Sequence, residues 1–214
     1  GLMKVTPSSG QELKTTFLME ASNWQDLEGN LPLTYSFNLR RQELLTLSPK
    51  SVNTQLSTTL SKGEGMILLR VYDSLDSFSE YSCPVSVASA FSSEAEKMDY
   101  VTSRVSSLSN YELIIERDQA LPSEISALSS AAFENPESIE TKSRVYSEML
   151  SLMDAWTDRQ STYPSLDSVL TSTLATMTKL PSAIDDQARN STLLLAKKIS
   201  FDEASTKESK QDAI

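Results

Sequence analysis

Over residues 15–39, TTFLMEASNWQDLEGNLPLTYSFNL, apolar and polar positions alternate in two runs joined by a polar turn. Phe17 and Met19 alternate with Thr16, Leu18 and Glu20; after Glu28-Gly29-Asn30 and Pro32 come Leu33, Tyr35 and Phe37. A period of two buries one face of a strand. Strands are expected at Leu2–Thr6, Thr15–Ala21, Leu33–Leu39, Glu43–Leu47, Thr54–Leu60, Met66–Tyr72 and Cys83–Val87. The separating turns are Pro7-Ser8-Ser9-Gly10, Glu28-Gly29-Asn30, Ser48-Pro49-Lys50, Lys62-Gly63-Glu64-Gly65 and Asp73-Ser74-Leu75-Asp76. Short strands with turn signals every ~8–12 residues indicate an immunoglobulin-like β-sandwich. Trp24 and Tyr35 are its expected large core anchors, packed rather than stacking a ligand.

After Phe91 the pattern changes. Glycine is absent from Ser92 onward, and apolar residues recur at helical spacing. Ser93 and Glu96 read as a capping box, which satisfies two otherwise unpaired amides. Ala95, Met98, Val101, Val105 and Leu108 then share one face. Tyr111–Ile115, YELII, reads equally as strand or helix. Pro122-Ser123 opens a helix with Ile125, Leu128 and Ala132. Asn135-Pro136-Glu137 opens another whose stripe is Ile139, Tyr146, Met149, Met153 and Trp156. Leu166, Val169, Leu170, Leu174 and Met177 give a further helix, and Pro181 opens a last one with Ile184, Ala188, Leu195 and Ile199. Pro136-x-x-Ile139-x-x-x-x-Arg144 matches Pro181-x-x-Ile184-x-x-x-x-Arg189, with Leu150 and Leu195 in register; helix-start chemistry alone or a repeated helix pair would both produce it. The fold class is therefore segregated α+β: an immunoglobulin-like β-sandwich over residues 1–92, an α-helical domain over 93–200 and a polar, disordered tail over 201–214.

Composition narrows the function more than the fold. The 214 residues are 39% apolar, with 29 acidic against 19 basic residues and a formal charge of −10. That balance opposes general nucleic-acid binding and docking on anionic lipid, both of which need a positive surface. There is no His, which removes the commonest general base and metal ligand. The single Cys, Cys83, excludes an internal disulfide and reads as a small buried strand residue. Serines and threonines are abundant, but no Ser-x-x-Lys stands at a strand-to-helix elbow, and Lys62-Gly63-Glu64-Gly65 lacks phosphate-loop spacing. Asp26, Glu28, Asp73 and Asp76 follow two strands that can end together. They are weighed as a calcium site against plain solvated loops. No catalytic, cofactor or metal residue is assigned. Asn190-Ser191-Thr192 is an N-glycosylation sequon on the polar side of the last helix. No apolar run is long enough to cross a bilayer and no signal peptide is visible; the abrupt start and end suggest a piece of a larger protein.

The run TTFLMEASNWQDLEGNLPLTYSF, with LLRVYDSLDSFSEY and CPVSV downstream, resembles the PKD/REJ-type modules of polycystin-like and egg-jelly-receptor proteins. Phe17, Trp24, Asp26, Pro32, Leu33, Tyr35, Phe37, Val71 and Asp73 occupy the places of that family's motif residues. The chain departs from the family in lacking paired cysteines and the WDFGDG signature of PKD repeats. The helical half resembles the segment between such sandwiches and a membrane-proximal autoproteolysis domain. The resemblance implies a non-enzymatic structural or adhesion module of a large cell-surface or ciliary-surface protein. Such a module needs no cofactor. Its partners are other protein domains of the same or a neighbouring chain, with homo-assembly also open. The alternative is an intracellular scaffold that lays a helical face on a partner.

Overall fold

The computed structural model describes residues 1–109, 120–133, 139–157, 171, 173–175, 177 and 189–197. Among the described residues, eight strands precede three helices: β1 (Leu2–Thr6), β2 (Ser9–Gln11), β3 (Phe17–Ser22), β4 (Thr34–Arg40), β5 (Leu44–Thr46), β6 (Gln55–Thr58), β7 (Gly63–Tyr72), β8 (Phe78–Ala88), α1 (Glu94–Ser109), α2 (Ala120–Phe133) and α3 (Ile139–Thr157). A further helical stretch covers residues 189–197.

The strands form a three-stranded sheet, β1-β3-β6, and a five-stranded sheet, β2-β8-β7-β4-β5. All pairings are antiparallel except β2 with β8. Alternation along β3 turns Phe17, Met19 and Ala21 inward while Ser22 is exposed. The larger sheet answers with Phe37 and Leu39 from β4, Ile67 and Leu69 from β7, and Val85 and Val87 from β8, all in one buried cluster with Phe17, Met19 and Leu56. Burying such side chains is worth roughly 1.5–3 kcal/mol each, so this shared interior is the main force holding the two sheets together.

Each expected strand is present, and the differences have physical reasons. Pro7–Gly10 is not simply a turn: Ser9–Gln11 is a strand running parallel to β8, in register Gly10 with Val87. Lys62–Gly65 is not a turn either, since Gly63 and Gly65 belong to β7. Gly63 has φ 132°, and a Cβ there would lie 3.2 Å from the Arg41 guanidinium, so glycine is what that backbone accepts. β8 begins at Phe78, not Cys83; Phe78–Ser82 is exposed and carries no alternation to read. Tyr35 is buried in the core as expected, but Trp24 is only half-buried at its edge. Its indole Nε1 donates to the Leu2 carbonyl at 3.2 Å, and a side chain at Gly1 would run into the ring. Trp24 therefore covers the start of β1; Phe17 and Phe37 fill the centre.

The helices form a second interior from Met98, Val101, Val105 and Leu108 of α1, Ile125, Leu128 and Ala132 of α2, and Tyr146, Met149 and Met153 of α3, joined by Leu174, Met177 and Leu195. Ala95, expected on the buried face of α1, is exposed. Lys97 takes the inward position and is ion-paired with Glu94 at 3.0 Å. α2 starts at Ala120, ahead of Pro122, and buries Ser123, Ser126, Ser129 and Ser130 as well as its aliphatics. Its small side chains let neighbours approach on every side. Leu150 and Leu195, the register pair of the internal repeat, both belong to this interior. The Tyr111–Ile115 segment, the Asn135-Pro136-Glu137 opening, the Ile139 and Trp156 side chains, Leu166, Val169, Leu170, Pro181, Ile184, Ala188, Ile199 and the 201–214 tail lie outside the described residues, as do most positions of the repeat. Among the described residues, no helix is long and apolar enough to cross a membrane.

Candidate functional site

Two places in the described residues bear on what the chain can do. One is the end of the sheets where β3, β4 and β7 meet their loops. The other is the joint between sheets and helices.

At the loop end, the two acidic loops do come together: the Ser74 amide donates to the Asn30 carbonyl at 3.1 Å. The Asp26 and Asp73 carboxylates face their own backbones, and Glu28 accepts the Asn30 side-chain amide at 3.4 Å. Asp26 accepts the Glu28 amide through Oδ1 at 3.1 Å and the Asn30 amide through Oδ2. Asp73 Oδ1 accepts the Leu75 amide at 2.8 Å and the Ser77 amide at 2.9 Å. These are turn-building bonds of the Asx type. Asp76 is ion-paired with Lys50, whose ammonium lies 4.5 Å from the centre of the Tyr72 ring. Among the described residues no three His, Cys, Asp or Glu side chains are placed to hold a metal. Beside the exposed Glu28 and Asp76, this end also offers aliphatics outward: Leu27 is 97% exposed, Leu31 65%, Leu75 72% and Val52 65%. Alternation cannot reveal that surface, because loop leucines belong to no periodic run.

At the joint, the residues that matter had no sequence signal. Leu13, between β2 and β3, has φ 54° and buries its side chain in the helical interior, not between the sheets. Its amide donates to the Leu60 carbonyl at 3.0 Å, and its carbonyl accepts the Tyr100 hydroxyl of α1 at 3.2 Å. The Lys14 ammonium lies 4.6 Å from the centre of the Tyr100 ring and 5.2 Å from that of Phe91, a cation–π arrangement. Arg41 Nη1 donates to Ser61 Oγ at 2.7 Å, and Ser61 Oγ donates to Ser130 Oγ of α2 at 2.9 Å. These serines sit beside a guanidinium, which cannot serve as a base, so the arrangement fixes position.

The remaining predicted residues are apart from both places. Cys83 is a free, half-buried thiol on β8; its Sγ lies 3.7 Å from the Met3 carbonyl, and burial pushes its pKa up. Asn190 is exposed on the helical stretch 189–197. Thr192 Oγ1, two residues on, is hydrogen-bonded to the Tyr146 hydroxyl of α3 at 2.7 Å.

No curated protein matches this chain. The family model described as REJ domain matches residues 1–118, both sheets together with α1. On that match, which spans more than half of the sequence, the chain belongs to the REJ domain family.

Proposed function

We propose that the chain is a non-enzymatic structural and adhesion module of a larger polycystin-like protein exposed at the cell or ciliary surface. The family match over residues 1–118 carries this reading. In it, the two sheets make an immunoglobulin-like sandwich: β1, β3 and β6 take the places of strands A, B and E, and β4, β7 and β8 those of C, F and G. Its partners are protein domains of the same or a neighbouring chain, met through the aliphatic loop end around Leu27, Leu31 and Leu75. Exposed aliphatics above a rigid hydrogen-bonded loop frame suit protein contact better than catalysis. The acidic balance, −10 overall, suits a solvated exterior.

Antibodies against this chain test the reading on cells of the native source. Labelling of intact cells is the expected result. Labelling that appears only after permeabilisation would favour an intracellular scaffold instead.

A further inference from the structure

Residues 189–197 form a helix with two unlike faces. Thr192, Leu195 and Ala196 lie on one: Leu195 is buried in the helical interior, Ala196 packs against it, and Thr192 reaches the Tyr146 hydroxyl. Asn190, Leu193, Leu194 and Lys197 lie on the other, spaced i, i+3, i+4 and i+7, and all are exposed. Leu193 is 57% exposed and Leu194 67%. Two adjacent leucines open to water beside the one Asn-x-Ser/Thr tripeptide of the sequence form an apolar face with a built-in attachment point for a polar cover.

The geometry also fixes when that point can be used. An enzyme that recognises the sequon must engage the Asn190 amide and the Thr192 hydroxyl together. On a helix, residues i and i+2 do not face each other, and here Thr192 is turned inward against Tyr146, a residue with no exposed surface. The folded protein therefore does not present the pair.

We propose that Asn190 is N-glycosylated before this helix packs, and that the glycan then covers the Leu193–Leu194 face. In the transfer, the Asn190 carboxamide nitrogen attacks the anomeric carbon of a lipid-pyrophosphate-linked oligosaccharide. A carbon–nitrogen bond forms, the bond from that carbon to the pyrophosphate oxygen breaks, the lipid pyrophosphate leaves and the amide gives up one proton. A bulky, solubilising glycan at position i shields apolar groups at i+3 and i+4. The inference rests on the reading that the chain passes through the secretory route.

The test supplies that route. The full chain is secreted from eukaryotic cells behind a foreign leader, so the result does not depend on where the native parent resides. Mass analysis should find an oligosaccharide on Asn190, lost in Asn190→Gln and in Thr192→Ala. Folded, secreted protein without it would overturn the site, whereas a wrong compartment would show only in the labelling of native cells. Unglycosylated chain from bacteria is then offered to oligosaccharyltransferase and lipid-linked donor, either folded or freshly diluted from urea. Modification of the diluted chain alone is expected, and equal modification of both would overturn the order. Secreted Asn190→Gln should bind more hydrophobic dye than the glycosylated protein and self-associate. Adding Leu193→Ser and Leu194→Ser should reverse both changes; equal dye binding with and without the glycan would overturn the covering role.

Discussion

At the scale of single residues, Leu13 and Tyr146 show how position rather than residue type decides a role. Leu13 adopts φ 54°, a left-handed conformation that costs a non-glycine residue about 1–2 kcal/mol. It stays there because burial returns more: its side chain is 3% exposed, and fully burying a leucine is worth roughly 1.5–3 kcal/mol. Tyr146 is buried on α3 with its hydroxyl against Thr192. Burial raises its phenol above the usual value of 10.0, so the folded state disfavours the ionised form. The resulting contribution is intact below pH 10 and is lost as pH rises toward the folded-state value. Tyr146→Phe should cost about 1 kcal/mol at neutral pH through the lost hydrogen bond. It should also flatten the fall in stability above pH ~10, leaving the part due to Tyr35, whose phenol burial raises as well. Urea titrations of both proteins at neutral and alkaline pH check this; parallel curves would contradict it. Tyr146 was legible in the sequence as a stripe residue, because helical spacing marks it. Leu13 was not, because a lone leucine in a polar turn belongs to no period.

At the scale of elements, the cap of α1 joins the sheets to the helices in the chain and shows the limits of local pattern. Ser93 Oγ accepts the Glu96 amide at 3.2 Å, as a capping box requires. The return bond differs: the Glu96 carboxylate takes the amide and the hydroxyl of Ser92, one residue before the cap. Those bonds to Ser92 hold its carboxyl below the usual range. Ser93→Ala should destabilise the protein by about 1 kcal/mol, read as a lower urea midpoint for the helical circular-dichroism signal; an unchanged midpoint would show that the cap is dispensable. The same locality explains which strands were legible. β1, β3 and β4 carry alternation within themselves. β2 has three residues and owes its existence to a parallel pairing with β8 more than seventy positions away, which no local signal encodes. Lys97 is buried where Ala95 was expected to be, because an ion pair with Glu94 makes a buried lysine tolerable, and hydropathy alone does not anticipate it.

At the scale of the molecule, the two interiors are distinct, yet a residue from the sheet half plugs the helical one. Leu13 packs into that interior, Lys14 lies over Phe91 and Tyr100, and the Arg41–Ser61–Ser130 chain ties the β6–β7 turn to α2. The family match likewise crosses from the sheets into α1. These contacts tie the sheets to the helices. Sheets and helices should therefore open together. Native-state hydrogen exchange measures it directly, comparing the amides of Leu69 and Val71 in β7 with those of Val101 and Val105 in α1. Equal opening free energies with equal denaturant dependence are predicted, falling together by about 2–5 kcal/mol in Leu13→Ala. Exchange of the α1 amides through an opening that leaves β7 protected would contradict the account.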